Sequence, residues 1–386
     1  MTDLAHPMTV VAFPFKDEDI NVVGANLRTA ARHRAVRQVW AIAAGEGDFA
    51  EDVFGVAEEI WKSESKPVVV MMQQRIGRYR AGKGDGMNTG IRAAAESGVD
   101  RLHFYDADIL NFDASWIDGA EAAADRGFGV VRHRFPRAAT DAMITWMITR
   151  PSLAILFPGT VLPRLGQPLG GEMMLTRPVI ESLAADTFVS DRSDWGIDTI
   201  LTHATTTIGV PLFEHHVADG KRHALYGSLD ELRDMLVECL DAARSLKGRP
   251  SPPDQLRFDR DPPGPVPRDL KQVVAYDMAS TLPLLTAPMT TEERALAANL
   301  PGEVADLLDI DGSEPAHGFL DEALWGRALR HLLDSFDLGS KGWRDLAFRL
   351  WLHRVVAYTH HQVPLGYDRA IEYLEGTIRL YESTAG

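Results

Sequence analysis

The sequence predicts an α/β fold, a doubly wound and mostly parallel sheet covered by helices, followed by an all-α C-terminal part. Three observations predict it. β-branched and aromatic runs alternate with helical patterns from the first residues onward, the mark of βαβ units and a parallel sheet. The run that starts at Arg101 ends abruptly in Asp106-Ala107-Asp108. Acids at the end of a buried strand belong to the carboxyl edge, where open α/β sheets bind ligands. Beyond a proline-rich stretch at 248–268 every clear periodic segment is helical.

Taken in order, Thr9 to Phe15 reads as the first strand and is followed by Lys16, with no glycine-rich turn. That absence removes the dinucleotide-binding dehydrogenases. Asn21 to His33 reads as a helix, Val36 to Ala43 as a strand, and Phe49 to Lys62 as a helix. Pro67 to Met72 is apolar throughout, as expected of a parallel strand covered on both faces. Gly86 to Ser97 is a helix, and the strand bearing the acid pair follows. Ala114 to Arg126 is helical, Gly129 to Phe135 a strand, and Ala139 to Leu156 a long apolar helix. Gly170 to Leu175 is a short strand entered through glycines, Trp195 to Thr206 a helix, and Gly209 to Val217 a strand. Leu229, Leu232, Leu236, Leu240 and Ala243 recur on one face of a helix ending at Leu246. The expected domains are 1–247, a linker or extended arm at 248–268, and a helical domain at 269–386, clearest at 320–336, 343–360 and 367–381.

Composition sets bounds. A chain of 386 residues, 45% hydrophobic and 25% charged, holds two ordinary globular domains. A formal charge of −15 argues against a general nucleic-acid surface, which needs clustered Lys and Arg. The single cysteine, Cys239, sits on an apolar helix and reads as core. No apolar run approaches a membrane span, and Met1 to Met8 lack a signal pattern, so a cytoplasmic protein is expected.

Five clusters have chemistry to offer. Asp106 and Asp108 fall on the same side of an extended backbone, where two carboxylates repel unless a cation intervenes. Oxygen ligands suit Mg²⁺, Mn²⁺ or Ca²⁺; a strand end followed by an Asx turn is the plain alternative. Gly77 to Lys83 fits most of a P-loop, but Gly84 stands where the magnesium-binding hydroxyl is required. Lys83 among Gly82, Gly84 and Gly86 would instead meet a diphosphate or a sugar ring. Arg137, Asp141 and Thr145, spaced by four, would share a face if their helix begins early, and the arginine, beside free amides at a helix N-terminus, would hold a small carboxylate. Asp194 can cap the next helix, whereas Asp198 lies inside it; His215, His216 and His223 follow the last strand of the sheet, and His223 could complete a metal site.

Together with Val11–Lys16, Gly82–Thr89, His103–Ile109, Phe135–Arg150, Gln167–Glu172, Arg192–Thr199 and Gly220–Gly227, these residues resemble the mannosylglycerate synthase family. Its members are retaining, metal-dependent glycosyltransferases of the GT-A fold. The resemblance implies transfer of mannose from GDP-mannose to the 2-hydroxyl of D-glycerate, with a divalent metal as cofactor. It implies Asp108 and His223 as protein ligands of that metal, and Asp106, Asp108, Asp198 and Lys83 as the catalytic set. It implies donor contacts from Pro14, Phe15, Lys16, Glu18, Ile42, Gln73, Lys83, Asp106, Ala107, Leu169, Asp198 and Tyr226, and acceptor contacts from Arg137, Asp141, Ala142 and Thr145. Where the family carries an arginine after the metal-binding histidine, this chain has Ala224, and Lys221 or Arg222 would have to substitute. GDP-glucose as donor, and lactate or glycolate as acceptor, remain open on the residues, as do a P-loop hydrolase and a binding-only sensor. The helical domain either closes over the acceptor pocket or forms the contact of a homo-oligomer.

Overall fold

The computed structural model describes residues 7–45, 48–223, 228–306, 308 and 320–384. The chain runs β1 (Thr9–Phe15), α1 (Ile20–Arg32), β2 (Val36–Ala43), α2 (Asp48–Glu64), β3 (Val68–Met72), α3 (Lys83–Glu96), β4 (Arg101–Phe104), α4 (Ala114–Asp125) and β5 (Val130–Arg134). A π-helical turn (Thr145–Thr149) and α5 (Arg150–Leu156) precede β6 (Met173–Thr176), α6 (Arg177–Ala185), α7 (Thr187–Ser190), α8 (Ile197–Thr207) and β7 (Leu212–His216). Then come α9 (Arg233–Ser245), β8 (Phe258–Arg260), α10 (Met278–Leu285), α11 (Thr291–Ala297), α12 (Gly302–Ala305), α13 (Glu322–Ser335), α14 (Lys341–Gln362) and α15 (Tyr367–Ser383).

The strands form one sheet in the order β3-β2-β1-β4-β6-β5-β7-β8. β6 is antiparallel to both its neighbours, and the other pairings are parallel. β1 lies between β2 and β4, so successive crossovers leave it in opposite directions. Such a reversal opens a crevice at the carboxyl ends of the two strands. Pro14, Phe15 and Lys16 end or follow one of them, and the acid pair follows the other.

Two expectations change here. β3 is the edge of the sheet rather than a strand covered on both faces, and Val69 and Met72 are 37% and 38% exposed. An unbroken apolar run cannot by itself distinguish a central strand from an edge. The proline-rich stretch supplies the opposite edge, β8, because Asp261 accepts from His215 Nδ1 at 2.7 Å and from the His216 amide at 3.0 Å.

By contacts the chain divides into two compact units. The first contains Met1–Pro136, Leu169–Ala224 and Pro252–Pro265, and holds the sheet. Its core joins Val11 and Phe13 of β1, Leu27 of α1, Val39 of β2 and Trp116 of α4. An aromatic floor lies under the acid pair: the Tyr105 ring is 4.6 Å from Phe112 and 6.1 Å from Trp116, and Phe13 meets Phe112 edge-on at 5.5 Å. Rings of this size dominate core energetics and leave few alternative packings. The second unit contains Arg137–Pro168, Leu225–Ser251 and Val266–Gly386. Its centre is α14, whose residues Leu346–Thr359 are buried almost without interruption, as for a helix surrounded by others. Cys239 is 1% exposed inside α9.

The long helix expected from Ala139 starts late. Asp141 donates its amide to Ala138 O at 3.0 Å, and its side chain accepts the Ala142 amide at 2.6 Å. Ala142 then has φ +56°, outside any right-handed helix. A short polar side chain that bonds its own backbone competes with the helix in this way.

Candidate active site

The carboxyl edge of β1, β2, β3 and β4 gathers most of the donor set. Pro14 sits opposite Ile42 in the β1–β2 register, and Gln73 leaves β3 with its amide on Ala43 O at 2.8 Å. A Cβ built on Gly86 would lie 3.0 Å from Gln73 Oε1 and 3.2 Å from Pro14 Cβ, so the start of α3 closes on these two residues.

The acid pair does not continue the strand. β4 ends at Phe104, and the backbone turns at Ala107 and Asp108, so the period-two alternation of a strand does not hold across the pair. Asn26, buried on the inner face of α1, holds that turn by donating to Ala107 O at 3.0 Å and Ile109 O at 2.9 Å. The Ala107 methyl is in the core.

Asp106 is the hub of a charge cluster. Its Oδ1 is 2.9 Å from Lys83 Nζ, and its Oδ2 takes the ammonium of Lys221 at 2.5 Å. Lys83 also bonds Asp198 Oδ2 at 3.0 Å and lies 5.6 Å from the Trp195 ring centroid. Lys221 reaches Glu172 Oε1 at 2.5 Å. Arg132, buried beneath them, donates to Gly170 O at 2.8 Å. Three cations thus face three carboxylates. Burial would raise Asp106, but Lys221 and Lys83 outweigh it and hold this carboxyl well below its usual range. Burial lifts Glu172 and Asp198 above theirs, with the charge of Asp106 adding and the lysines opposing. Burial works against the Lys83 ammonium, but Asp106, Asp198 and Glu172 raise it well above its usual value, so it stays charged. Asp198 Oδ1 and Glu172 Oε2 are buried and take no hydrogen bond among the described residues.

Asp108 stands apart. Its Oδ1 is shut from solvent with no hydrogen-bond partner among the described residues. An orphaned carboxylate oxygen costs the full desolvation of that atom unless a cation or donor arrives. Glu18 is close enough that Asp108 contributes, after burial, to raising its carboxyl. The loop carrying His223 is fastened beside this turn: Leu110 donates to Arg222 O at 2.8 Å, the Arg222 amide to Asn111 Oδ1 at 2.9 Å, and Asn111 Nδ2 to Gly220 O at 2.9 Å. No group of three or more His, Cys, Asp or Glu poised to share a metal occurs among the described residues. The orphaned Asp108 oxygen is of the donor type a divalent cation takes, and an imidazole such as that of His223 is a second such type.

The glycine-rich stretch has a different role from the one its pattern suggests. The amides of Ile76 and Gly77 bond Asp85 Oδ1 at 3.0 and 2.9 Å, and Arg75 pairs with Asp85 Oδ2 at 2.7 Å. The Gly77 and Arg78 amides, the first of those a P-loop would aim at phosphate, are already used, the second by Asp191 O at 3.0 Å. A Cβ on Gly84 would meet Arg192 O at 2.4 Å, and one on Gly77 would meet Asp191 O at 2.5 Å. These glycines admit a neighbouring backbone segment rather than a ligand. Asn88 fastens that segment by donating to Val189 O and Arg192 O at 3.2 and 3.0 Å.

Other expected residues resolve as follows. Lys16 is exposed, its ammonium 3.7 Å from Asp17. Leu169 is partly buried ahead of β6. Asp194 binds Arg192 Nε at 2.7 Å and the Gly196 amide at 2.9 Å, a local structural role. His216 accepts the Gly264 amide at 3.0 Å and, with His215, serves the β8 arm. Lys221, considered as a replacement for the arginine absent at Ala224, is held by Asp106 and Glu172. Ala224 and Tyr226 lie outside the described residues.

In the second unit, Arg137 Nη1 meets Asp141 Oδ2 at 2.9 Å, each side chain 15% exposed. The pair forms across a turn, not along a helix face. Thr145, 4% exposed, opens the π-helical turn.

Sequence reasoning left Glu172, Asn26, Gly171 and the true role of Lys221 unassigned. A Cβ on Gly171 would sit 2.5 Å from Lys83 Nζ and 2.9 Å from Asp106 Oδ1, so this glycine is what lets the lysine reach the acid. The signal was Gly170-Gly171-Glu172 itself, an acid behind paired glycines at a strand entry.

Comparison with known proteins places this arrangement. Residues 9–245 match the model of the mannosylglycerate synthase GT domain, and 270–378 that of the mannosylglycerate synthase C-terminal domain. The chain belongs to the mannosylglycerate synthase family. It is 43% identical over 383 residues to mannosylglycerate synthase from Rhodothermus marinus, covering 98% of this chain and 95% of that one. It is 42% identical over 375 residues to mannosylglycerate synthase from Selaginella moellendorffii, covering 96% and 89%. The fold is also that of glucosyl-3-phosphoglycerate synthase from Mycobacterium tuberculosis, solved with Mg²⁺ and UDP: TM-score 0.50, 18% identity, 64% of this chain and 82% of that one. At that identity the likeness concerns the fold alone. The family member described here is a glycosyltransferase of the GT-A fold. Among the described residues no helix is long and apolar enough to cross a membrane.

Proposed function

We propose that this enzyme transfers mannose from GDP-mannose to the 2-hydroxyl of D-glycerate with retention of configuration, using a divalent metal held by Asp108 and His223. The observation that carries the proposal is the orphaned oxygen of Asp108 beside a charge-balanced cluster at the carboxyl edge of β1 and β4. The names of the relatives support the substrates.

When bound, the metal acts as a Lewis acid toward the leaving diphosphate. Lys83 supplies fixed positive charge that needs no reorganisation during reaction, since Asp106 and Asp198 hold its ammonium from two sides. Asp198 keeps one oxygen on Lys83 and leaves Oδ1 for a hydroxyl of the sugar. Retention by double displacement would need a carboxylate nucleophile on the face opposite the leaving group. Asp198 is the candidate, but its tie to the lysine favours a binding role. Same-face attack, with the departing phosphate taking the acceptor proton, is the reading adopted. Arg137 holds the carboxylate of glycerate, with Asp141, Ala142 and Thr145 around its hydroxyls.

The test is product analysis by mass spectrometry and NMR after incubation with GDP-mannose, D-glycerate and a divalent salt. A mannosylglycerate with the anomeric configuration of the donor is expected. Donor hydrolysis alone, or faster turnover of GDP-glucose, lactate or glycolate, overturns the assignment. A mannosyl adduct trapped on Asp198 overturns the same-face reading.

A further inference from the structure

The helices of the second unit hold segment 137–150 in an unusual way. Tyr367, at the start of α15, donates its hydroxyl to Arg137 O at 3.0 Å. Tyr358 on α14 donates to Ala139 O at 2.8 Å. Trp351 on α14 reaches Met143 O at 3.4 Å, and Trp325 on α13 donates its indole N–H to Met147 O at 2.8 Å. Four aromatic donors from three helices therefore bond four backbone carbonyls of one short segment. Thr140 Oγ1 takes the Ala275 amide at 2.8 Å, and at the far end Arg150 forms a two-point pair with Glu375 of α15, both bonds 2.9 Å.

The segment they bond is irregular. It contains a turn at 138–142, a left-handed Ala142, and a π-helical turn at 145–149. Left-handed backbone at a non-glycine residue persists when surroundings over-determine it, and π turns concentrate at functional sites. The donors are well suited to the task. Trp325 and Trp351 are fully buried, Tyr358 is 1% exposed, and burial with the Asp368 charge pushes the Tyr367 hydroxyl up to about 12, so it stays protonated.

We propose that Tyr358 and Tyr367, with Trp325 and Trp351, are positioning residues for the acceptor: they set the backbone of 137–149 and thereby the placement of Arg137, Asp141 and Thr145. This rests on the acceptor assignment above, and it gives the C-terminal helices a function in the transfer reaction.

The experiment uses the full chain with Tyr358→Phe, Tyr367→Phe and the double variant. Each removes one hydroxyl and keeps the ring. Each single variant should raise the glycerate KM about 3- to 10-fold, with kcat and the GDP-mannose KM within about 2-fold. Hydrogen exchange at the amides of 138–149 should rise in the double variant, while β1 and β4 keep wild-type protection. Unchanged exchange there overturns the proposal whatever the kinetics. Raised exchange with an unchanged glycerate KM also overturns it if Arg137→Ala raises that KM. If Arg137→Ala leaves it unchanged as well, the fault lies in the acceptor assignment, and the link to the acceptor falls with it.

Discussion

Lys221→Met tests the charge cluster most severely. Lys221 is 8% exposed and Glu172 1%, and the ammonium bridges Glu172 and Asp106. Methionine keeps the stem volume and removes the charge, leaving the buried Glu172 and the partly exposed Asp106 with one fewer cation. Removing one partner of a buried pair costs about 3–5 kcal/mol when the other stays ionised. For a unit of this size each kcal/mol moves Tm by about 2–4 °C, so a fall of about 6–20 °C is expected. The pH dependence carries the sign. Burial already places the Glu172 carboxyl above its ordinary 4.5, and losing Lys221 removes its main opposing charge. A raised carboxyl binds its proton more tightly folded than unfolded, so stability falls as pH rises from 4.5 through the folded value. The deficit against wild type should be smallest near pH 5 and largest near pH 8, because Lys221 no longer opposes the burial that raises Glu172. Asp106 works oppositely: held low in the parent, it loses stability below its ordinary 3.8, outside this range. Adding Glu172→Gln removes the stranded charge and should recover most of the loss, a coupling well above 1 kcal/mol. Calorimetry at pH 5, 6.5 and 8 measures all of this. A deficit equal at every pH, or a double variant no better than Lys221→Met, refutes the reasoning.

Arg137→Ala should raise the glycerate KM roughly 10- to 150-fold by removing a charge-assisted bond of about 1.5–3 kcal/mol and stranding Asp141 beside the acceptor carboxylate. Steady-state kinetics with each substrate varied checks it, and an equal rise in donor KM would count against the assignment. EDTA should abolish transfer, with Mg²⁺ or Mn²⁺ restoring it; full activity in chelator rejects the reading of Asp108. Gly171→Ala should cut kcat by about 10²–10³ with little change in Tm, because the added methyl displaces the flexible end of Lys83. Gly84→Ala should do the reverse, lowering soluble yield and Tm, because its methyl meets the rigid carbonyl of Arg192.

Much of the sheet's carboxyl edge was legible because its residues sit where strands stop. Thr9–Phe15 and Val36–Ala43 were bounded to the residue by β-branched runs with clear ends. The acid pair announced itself for the same reason, as did Lys83 at a helix start. Legibility failed where one local pattern serves two structures. The run at β3 looks the same at an edge as at a centre. The glycines at 77 and 84 look the same whether they admit a phosphate or, as here, the backbone of 191–193. Arg137, Asp141 and Thr145 keep helical spacing although a turn separates them.

Local order and periodicity, which the chain carries in its own sequence, were enough to determine an α/β architecture, an acid pair at the carboxyl edge of its sheet and a helical C-terminal part. Which charge meets which was decided by tertiary structure. Lys221 lies 115 residues from Asp106 and Tyr367 lies 230 from Arg137. Pairings at such separations depend on strand order, glycine-sized gaps and helix packing, and none of these is written in the spacing of the residues that use them.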